Sequence, residues 1–167
     1  KGQEYRELPL DLRDELARGK MIPPPLYASA IPELIRETAL QINRLRYNAE
    51  RRSDSDDPDI YRYGSYTSGR DSDLSRNIRL LAPFSTRERR VRDLLYAAAR
   101  CPDKQIQIAS WCLLMKHGRP VPTDTLSAYY RDDRTRIHLY RQLAITRQLT
   151  AYKDWFADTI ALVRSIL

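Results

Sequence analysis

Apolar residues recur along this chain every three or four positions, and the recurrence divides it into helices. Ile31, Ile35, Thr38, Ile42, Leu45 and Ala49 step by alternating intervals of 4 and 3, and Leu34 widens the stripe. Pro32 falls in the first turn, where a missing N–H costs nothing. The spacing predicts a long helix whose seam packs into its own domain rather than into a coiled coil. A shorter helix is predicted from about Pro9 to Arg18, with Leu12 and Leu16 on one side and Gly19 at its end. The prolines at 23–25 stop that helix and begin a Pro-rich arm.

Beyond residue 73 the helical period returns. Leu74, Ile78 and Leu81 make one stripe, ended by Pro83. Ser85 with Glu88 three residues later reads as a capping box opening the next helix, with Val91, Leu94, Leu95 and Ala98 inward. From Pro102 to Gly118, Ile106, Ile108, Ala109, Trp111, Cys112, Leu113, Leu114 and Met115 run nearly all the way round, so this helix belongs at the centre of the core. A short helix capped by Thr123 follows. From Asp133 the pattern stays helical to the end, with a break expected near Thr150, and Asp132–Asp133 serve as its cap. The final stripe is Tyr152, Trp155, Phe156, Ile160, Val163, Ile166 and Leu167. No strand pair is predicted. The expected fold is all-α, an irregular bundle of six to eight helices. Residues 1–30 form a short helix and the Pro-rich arm, and residues 31–167 form the helical domain.

Between the halves lies Ser53–Asp73, with six aspartates, two glycines and no apolar period, which reads as a flexible acidic loop. Charge sharpens this division. The 167 residues carry a net +7, but residues 1–52 hold +2, residues 53–73 hold −4 and residues 74–167 hold +9. The basic side chains are 24 Arg against 5 Lys. Arginine's planar fork suits phosphate and carboxylate groups and stacks on aromatic rings.

Candidate reaction chemistry is sparse. The five glycines build no phosphate-cradling loop. His117 and His138 stand without acidic or cysteine neighbours at metal-ligand spacing. His117 is read as a helix-end residue interacting with the dipole. Cys101 and Cys112 sit in apolar surroundings, as packed thiols of a reducing compartment, cytoplasm or nucleus, do. No run approaches the ~20 apolar residues of a membrane span, and no charged opening followed by an apolar run reads as a signal peptide. A non-enzymatic protein without cofactor or metal is the expectation.

Binding features are better represented. Pro24-Pro25-Leu26-Tyr27 resembles the PPxY ligand of WW domains, whose prolines preset an extended helix that an aromatic groove receives. The resemblance covers four residues and implies a WW-domain partner. The competing reading makes the prolines a spacer and Tyr27 a packing anchor. PPxY segments also occur in matrix-type proteins of enveloped viruses, which a small, basic, all-helical domain resembles in general character. The second feature is basic: Arg87, Arg89, Arg90, Arg92 and Arg100 on one helix, then Arg131, Arg134, Arg136 and Arg141 further on. A cationic first turn opposes the helix dipole, which points to an anionic partner that compensates it. Eleven tyrosines offer rings for stacking on bases. These features together predict a helical assembly or interaction domain, of matrix- or nucleocapsid-like viral type, with an arginine-rich face. Its expected partners are proteins, including copies of itself, and a nucleic acid or an acidic membrane surface. A dedicated RNA- or DNA-binding domain and a cellular adaptor using the PPxY-like segment are the alternatives.

Overall fold

The computed structural model describes residues 24–53 and 70–157. The short helix expected at Pro9–Arg18, most of the acidic segment, and the last part of the terminal stripe (Ile160, Val163, Ile166 and Leu167) lie outside the described residues. Six α-helices follow one another: α1 (Ile31–Ser53), α2 (Arg70–Leu81), α3 (Arg89–Ala98), α4 (Lys104–Lys116), α5 (Thr123–Arg131) and α6 (Asp133–Ile145). Three 3-10 helices, Pro24–Ala30, Ala82–Phe84 and Leu149–Phe156, join or flank them. No strand occurs among the described residues. The fold is an all-α multi-helix bundle.

Helix α4 is the centre. Ile106, Ile108, Ala109, Ser110, Trp111, Cys112, Leu113 and Leu114 are all buried. A helix apolar on every side needs neighbours on every side, and α2, α3 and α6 supply them. Helix α1 then lies across α2 and α3, and α5 packs on α6. The stripe of α1 is used inside the domain: Ile31, Leu34, Thr38 and Ile42 are buried, and Ile35 and Leu45 pack against the core. Each fully buried Leu or Ile contributes about 1.5–3 kcal/mol, so the core rests chiefly on α4 and the residues facing it. An aromatic cluster closes the far end, where Phe156 meets the edges of Tyr130 and Tyr140 at ring distances of 5.5 and 5.3 Å.

Chain punctuation follows the local chemistry of each helix end. At α4 the Asp103 carboxylate accepts from the Ile106 N–H at 2.9 Å, and Gly118 takes φ +71° just past the end. The Gly118 N–H then bonds Met115 O, and the Arg119 N–H bonds Leu114 O, both at 3.0 Å. That is the paired closure expected of a glycine C-terminus. At α6 the Asp132 side chain accepts from the Arg134 N–H at 2.9 Å.

Four boundaries depart from the sequence reading. Helix α2 begins at Arg70, so residues 70–73, read as the end of the flexible acidic loop, are helical. The Ser85–Glu88 box does not form. Residues 85–87 continue as turns from the 3-10 helix, Glu88 is the N-cap of α3 without a side-chain bond, and the buried Ser85 hydroxyl has no hydrogen-bond partner among the described residues. Pro83 sets this early turn, which leaves the box out of helical register. Thr123 is the first helical residue of α5 rather than its cap, because Pro122 takes the cap position. The break expected near Thr150 falls earlier, at Arg147, and the segment beyond it is 3-10 with a kink at Tyr152.

Arg147 has φ +62°. It stands where Gly118 stands in α4: its N–H bonds Ala144 O, and the Gln148 N–H bonds Leu143 O. The left-handed conformation costs an L-residue about 1–2 kcal/mol. Arg147→Gly removes that cost against a smaller loss of chain entropy. It should stabilise the domain by about 0.5–1 kcal/mol, read as a higher denaturant midpoint at unchanged slope. A lower midpoint would contradict this account of the α6 terminus.

Candidate anion-binding groove

Helix α3 places the first group of arginines. Val91, Leu95 and Ala98 turn inward at intervals of 4 and 3, Leu94, Tyr96 and Ala97 pack at the edge of the core, and the charged positions face outward. Arg87, just before the helix, and Arg89 and Arg90 in its first turn are exposed, and Arg92 is half-buried. No acidic residue occupies that first turn. The ion pair of this helix, Arg89 to Asp93 at 3.5 Å, is exposed on both sides and therefore weak. Among the described residues, no ion pair or side-chain hydrogen bond engages Arg87, Arg90, Arg92 or Arg100.

One face of α3 carries Asp93, Tyr96 and Ala97, Arg100 follows in the turn just past the helix end, and these residues meet Arg46 of α1. These five residues line a groove of about 360 Å³. Arg46 is held in place by donating from one terminal nitrogen to Ala97 O at 3.3 Å, near the negative end of the α3 dipole. Tyr96 is fixed by its edge-to-face contact with Trp111, ring centres 6.0 Å apart. The groove thus presents two guanidinium groups, one carboxylate and one phenol. Next in sequence to Arg46 on α1, Tyr47 is 58% exposed, with the Arg51 guanidinium 5.8 Å above its ring. Sequence reading found the α3 arginines but missed Arg46, Asp93 and Tyr96. The (i, i+3, i+4, i+7) spacing of 93, 96, 97 and 100 was visible; that Arg46 faces it was not.

The second group of arginines lies elsewhere. Arg131, Arg134, Arg136 and Arg141 belong to α5 and α6, which reach the core through the side of α4 that α6 covers, whereas α3 packs on α1 and α4. Arg136 is already engaged. It donates through Nε to Tyr130 O at 2.8 Å, pairs with Asp133 at 2.8 Å and lies 5.4 Å from the Tyr130 ring centre. It ties α6 to the end of α5, so its place among the anion-binding arginines is corrected to a fold contact. Arg131, Arg134 and Arg141 remain exposed. Along α6, Arg134 and Arg141 flank Ile137, which is 58% exposed, and Ile145 follows at 54%.

The Pro-rich stretch is docked. Pro24–Ala30 is a 3-10 helix on α1 rather than an extended ligand. Tyr27 is 3% exposed, its hydroxyl donates to Leu80 O at 3.3 Å, and its ring meets Phe84 edge-on at 5.7 Å. Pro24 is half-buried; the side chains of Pro25 and Leu26 lie outside the described residues. In this arrangement Tyr27 is the packing anchor, and its ring is not presented to a WW domain.

The titratable side chains reflect burial. Burial pushes the thiols of Cys101 and Cys112, both free, up to about 11 and about 12, which keeps them protonated and unreactive. His117 and His138 are held below the ordinary histidine value, chiefly by burial. For His117 this outweighs the helix-end dipole, which favours the charged form. Among the described residues no group of three His, Cys, Asp or Glu is placed to hold a metal ion, and no helix is long and apolar enough to cross a membrane. No protein-family model, curated protein or solved structure matches the chain.

Tyr27→Ala should cost about 3–5 kcal/mol, as truncation of a buried aromatic does. Tyr27→Phe should cost about 0.5–1.5 kcal/mol, the net worth of one hydrogen bond. Thermal or denaturant unfolding of both variants measures this. A silent Tyr27→Ala would mean that the ring is not an anchor.

Proposed function

We propose that this is a non-enzymatic assembly domain that docks an anionic partner on the α1–α3 surface, in the manner of a viral matrix- or nucleocapsid-like structural protein. One observation carries the reading. Arg87, Arg89 and Arg90 stand exposed around the start of α3, three cations against the single carboxylate of the N-cap Glu88. The positive end of the dipole and the guanidinium groups repel there, and a bound anion relieves both. The free, buried thiols support a reducing compartment, cytoplasm or nucleus. The adaptor reading through a WW domain loses support, since Tyr27 must leave the core before it can be recognised.

The anionic reading is tested by the anisotropy of a labelled random single-stranded oligonucleotide across salt. Log affinity should fall linearly with log salt, with a slope near −0.7 per phosphate engaged. Reversing Arg87 and Arg90 together to Glu should weaken binding about tenfold or more at low salt. Absence of binding at low salt to this probe and to anionic vesicles would overturn the proposal.

Self-association is the second part of the proposal, and the α6 face supports it. Ile137 and Ile145 offer apolar area, but a two-fold pairing brings Arg134 and Arg141 of both copies together. Such pairing should strengthen as salt screens that repulsion. Light scattering should show mass rising from low to high salt, and Ile137→Asp with Ile145→Asp should abolish the rise. A mass that stays monomeric across salt and concentration would remove this part.

A further inference from the structure

We infer that the α1–α3 groove binds a ribose-phosphate unit of single-stranded RNA, with the phosphate at Arg46 and Arg100 and the ribose 2′-hydroxyl donating to Asp93. The inference deepens the proposed function and rests on that reading.

The groove is not uniformly positive, and this narrows the ligand. Arg46 and Arg100 are donor-only side chains, suited to the acceptor oxygens of a phosphate. Asp93 is acceptor-only when ionised, and its exposed pairing with Arg89 at 3.5 Å leaves acceptor positions open to a donor from the ligand. A phosphodiester linkage or a sulfate by itself offers no such donor and is repelled by the carboxylate. A deoxyribose backbone lacks the hydroxyl that a 2′-OH supplies, and that hydroxyl is the group by which proteins tell RNA from DNA. The space of about 360 Å³ is at the small end for ligand sites, the scale of one nucleotide rather than a duplex. Aromatic rings are close to the charges. Tyr96 lines the groove, and the neighbour of Arg46, Tyr47, is exposed and carries a guanidinium over its ring. Bases stack on such rings when the strand is single and unpaired. An acidic membrane surface would use the arginines but would be repelled by the Asp93 carboxylate between them.

The same base in two sugars isolates the claim. Anisotropy is measured with labelled oligouridylate and oligodeoxyuridylate of equal length on the intact protein. The RNA should bind about tenfold tighter, the value of a hydrogen bond to a charged acceptor. Asp93→Ala should bring the two affinities together without weakening the DNA. Arg100→Ala should weaken both and reduce the salt slope by about 0.7. Tyr47→Ala should weaken both with the slope unchanged. The source of the ribose phosphate is separated by competition. Uridine monophosphate displacing the RNA at comparable concentration identifies a free-nucleotide site and overturns the strand assignment. Equal RNA and DNA affinities, both lost on reversing Arg87 and Arg90 but indifferent to Arg100→Ala, overturn the groove assignment and leave the anionic surface standing. Binding to phosphatidylserine vesicles with none to either oligonucleotide overturns the inference in favour of a membrane. Failure to bind oligonucleotide or vesicle takes the underlying reading with it.

Discussion

Burying α4 on every side is the constraint from which the rest follows. A 13-residue helix with eight buried positions has no solvent face to spare, so its neighbours are committed to covering it. Helices α2, α3 and α6 each spend their apolar stripe on α4, which leaves their polar positions pointing outward by helical geometry alone. Ser110 and Cys112 are buried with it because residues 108–114 of this helix are buried on every side. The arginine faces of α3 and α6 are therefore consequences of where the inward stripes lie. Their separation is a consequence of α4 lying between the two helices.

Much of this was legible in the residues. The all-round apolar composition of 106–115 announced a central helix, and the alternating stripe of α1 announced a long helix with one buried side. Gly118 and Asp132 marked their helix ends because a glycine and a carboxylate act locally, through φ and through a single N–H. Ser85 failed as a cap for the opposite reason. A capping box works only if the helix begins there, and the 3-10 turn after Pro83 carries the chain three residues further before α3 starts. Arg147 was illegible because nothing in an arginine signals positive φ. It accepts the strained conformation since Leu143 and Thr146 are buried just before it and Leu149 packs against the core just after it, which fixes the path of the chain.

The site was legible only in part, since periodicity tells which side of a helix faces out but not what it faces. Arg87, Arg89, Arg90 and Arg92 could be counted on one helix. The meeting of Arg46 with Ala97, 51 residues apart, depends on α1 crossing α3 and has no local signature. The same limit governs Tyr27. Four residues resemble a ligand, but the choice between ligand and anchor is made by Leu80 and Phe84, more than 50 residues away. Arg136 shows the converse error: an arginine in a basic stretch is not free if a carbonyl, a carboxylate and a ring lie within its reach.

Helix α3 is where stability and binding are set against each other. Its N-terminus leaves backbone N–H groups without intrahelical partners, has no side-chain cap hydrogen bond, and sets three exposed cations against the one carboxylate of the N-cap Glu88, each cation costing about 0.3–1 kcal/mol at low salt. A further acidic residue in the first turn would relieve that excess and would repel an anionic partner. At the other end, Arg46 and Arg100 sit where the dipole welcomes cations, so the groove arginines stabilise the helix while free, whereas those at its start do not. An anion at the start gains from both dipole and charge. One in the groove must compete with the carbonyl of Ala97 and with Asp93, and so succeeds only by bringing a hydrogen-bond donor of its own. The two ends of a single ten-residue helix thus demand different chemistry of the same ligand: bare negative charge at one end, and charge accompanied by a hydroxyl at the other.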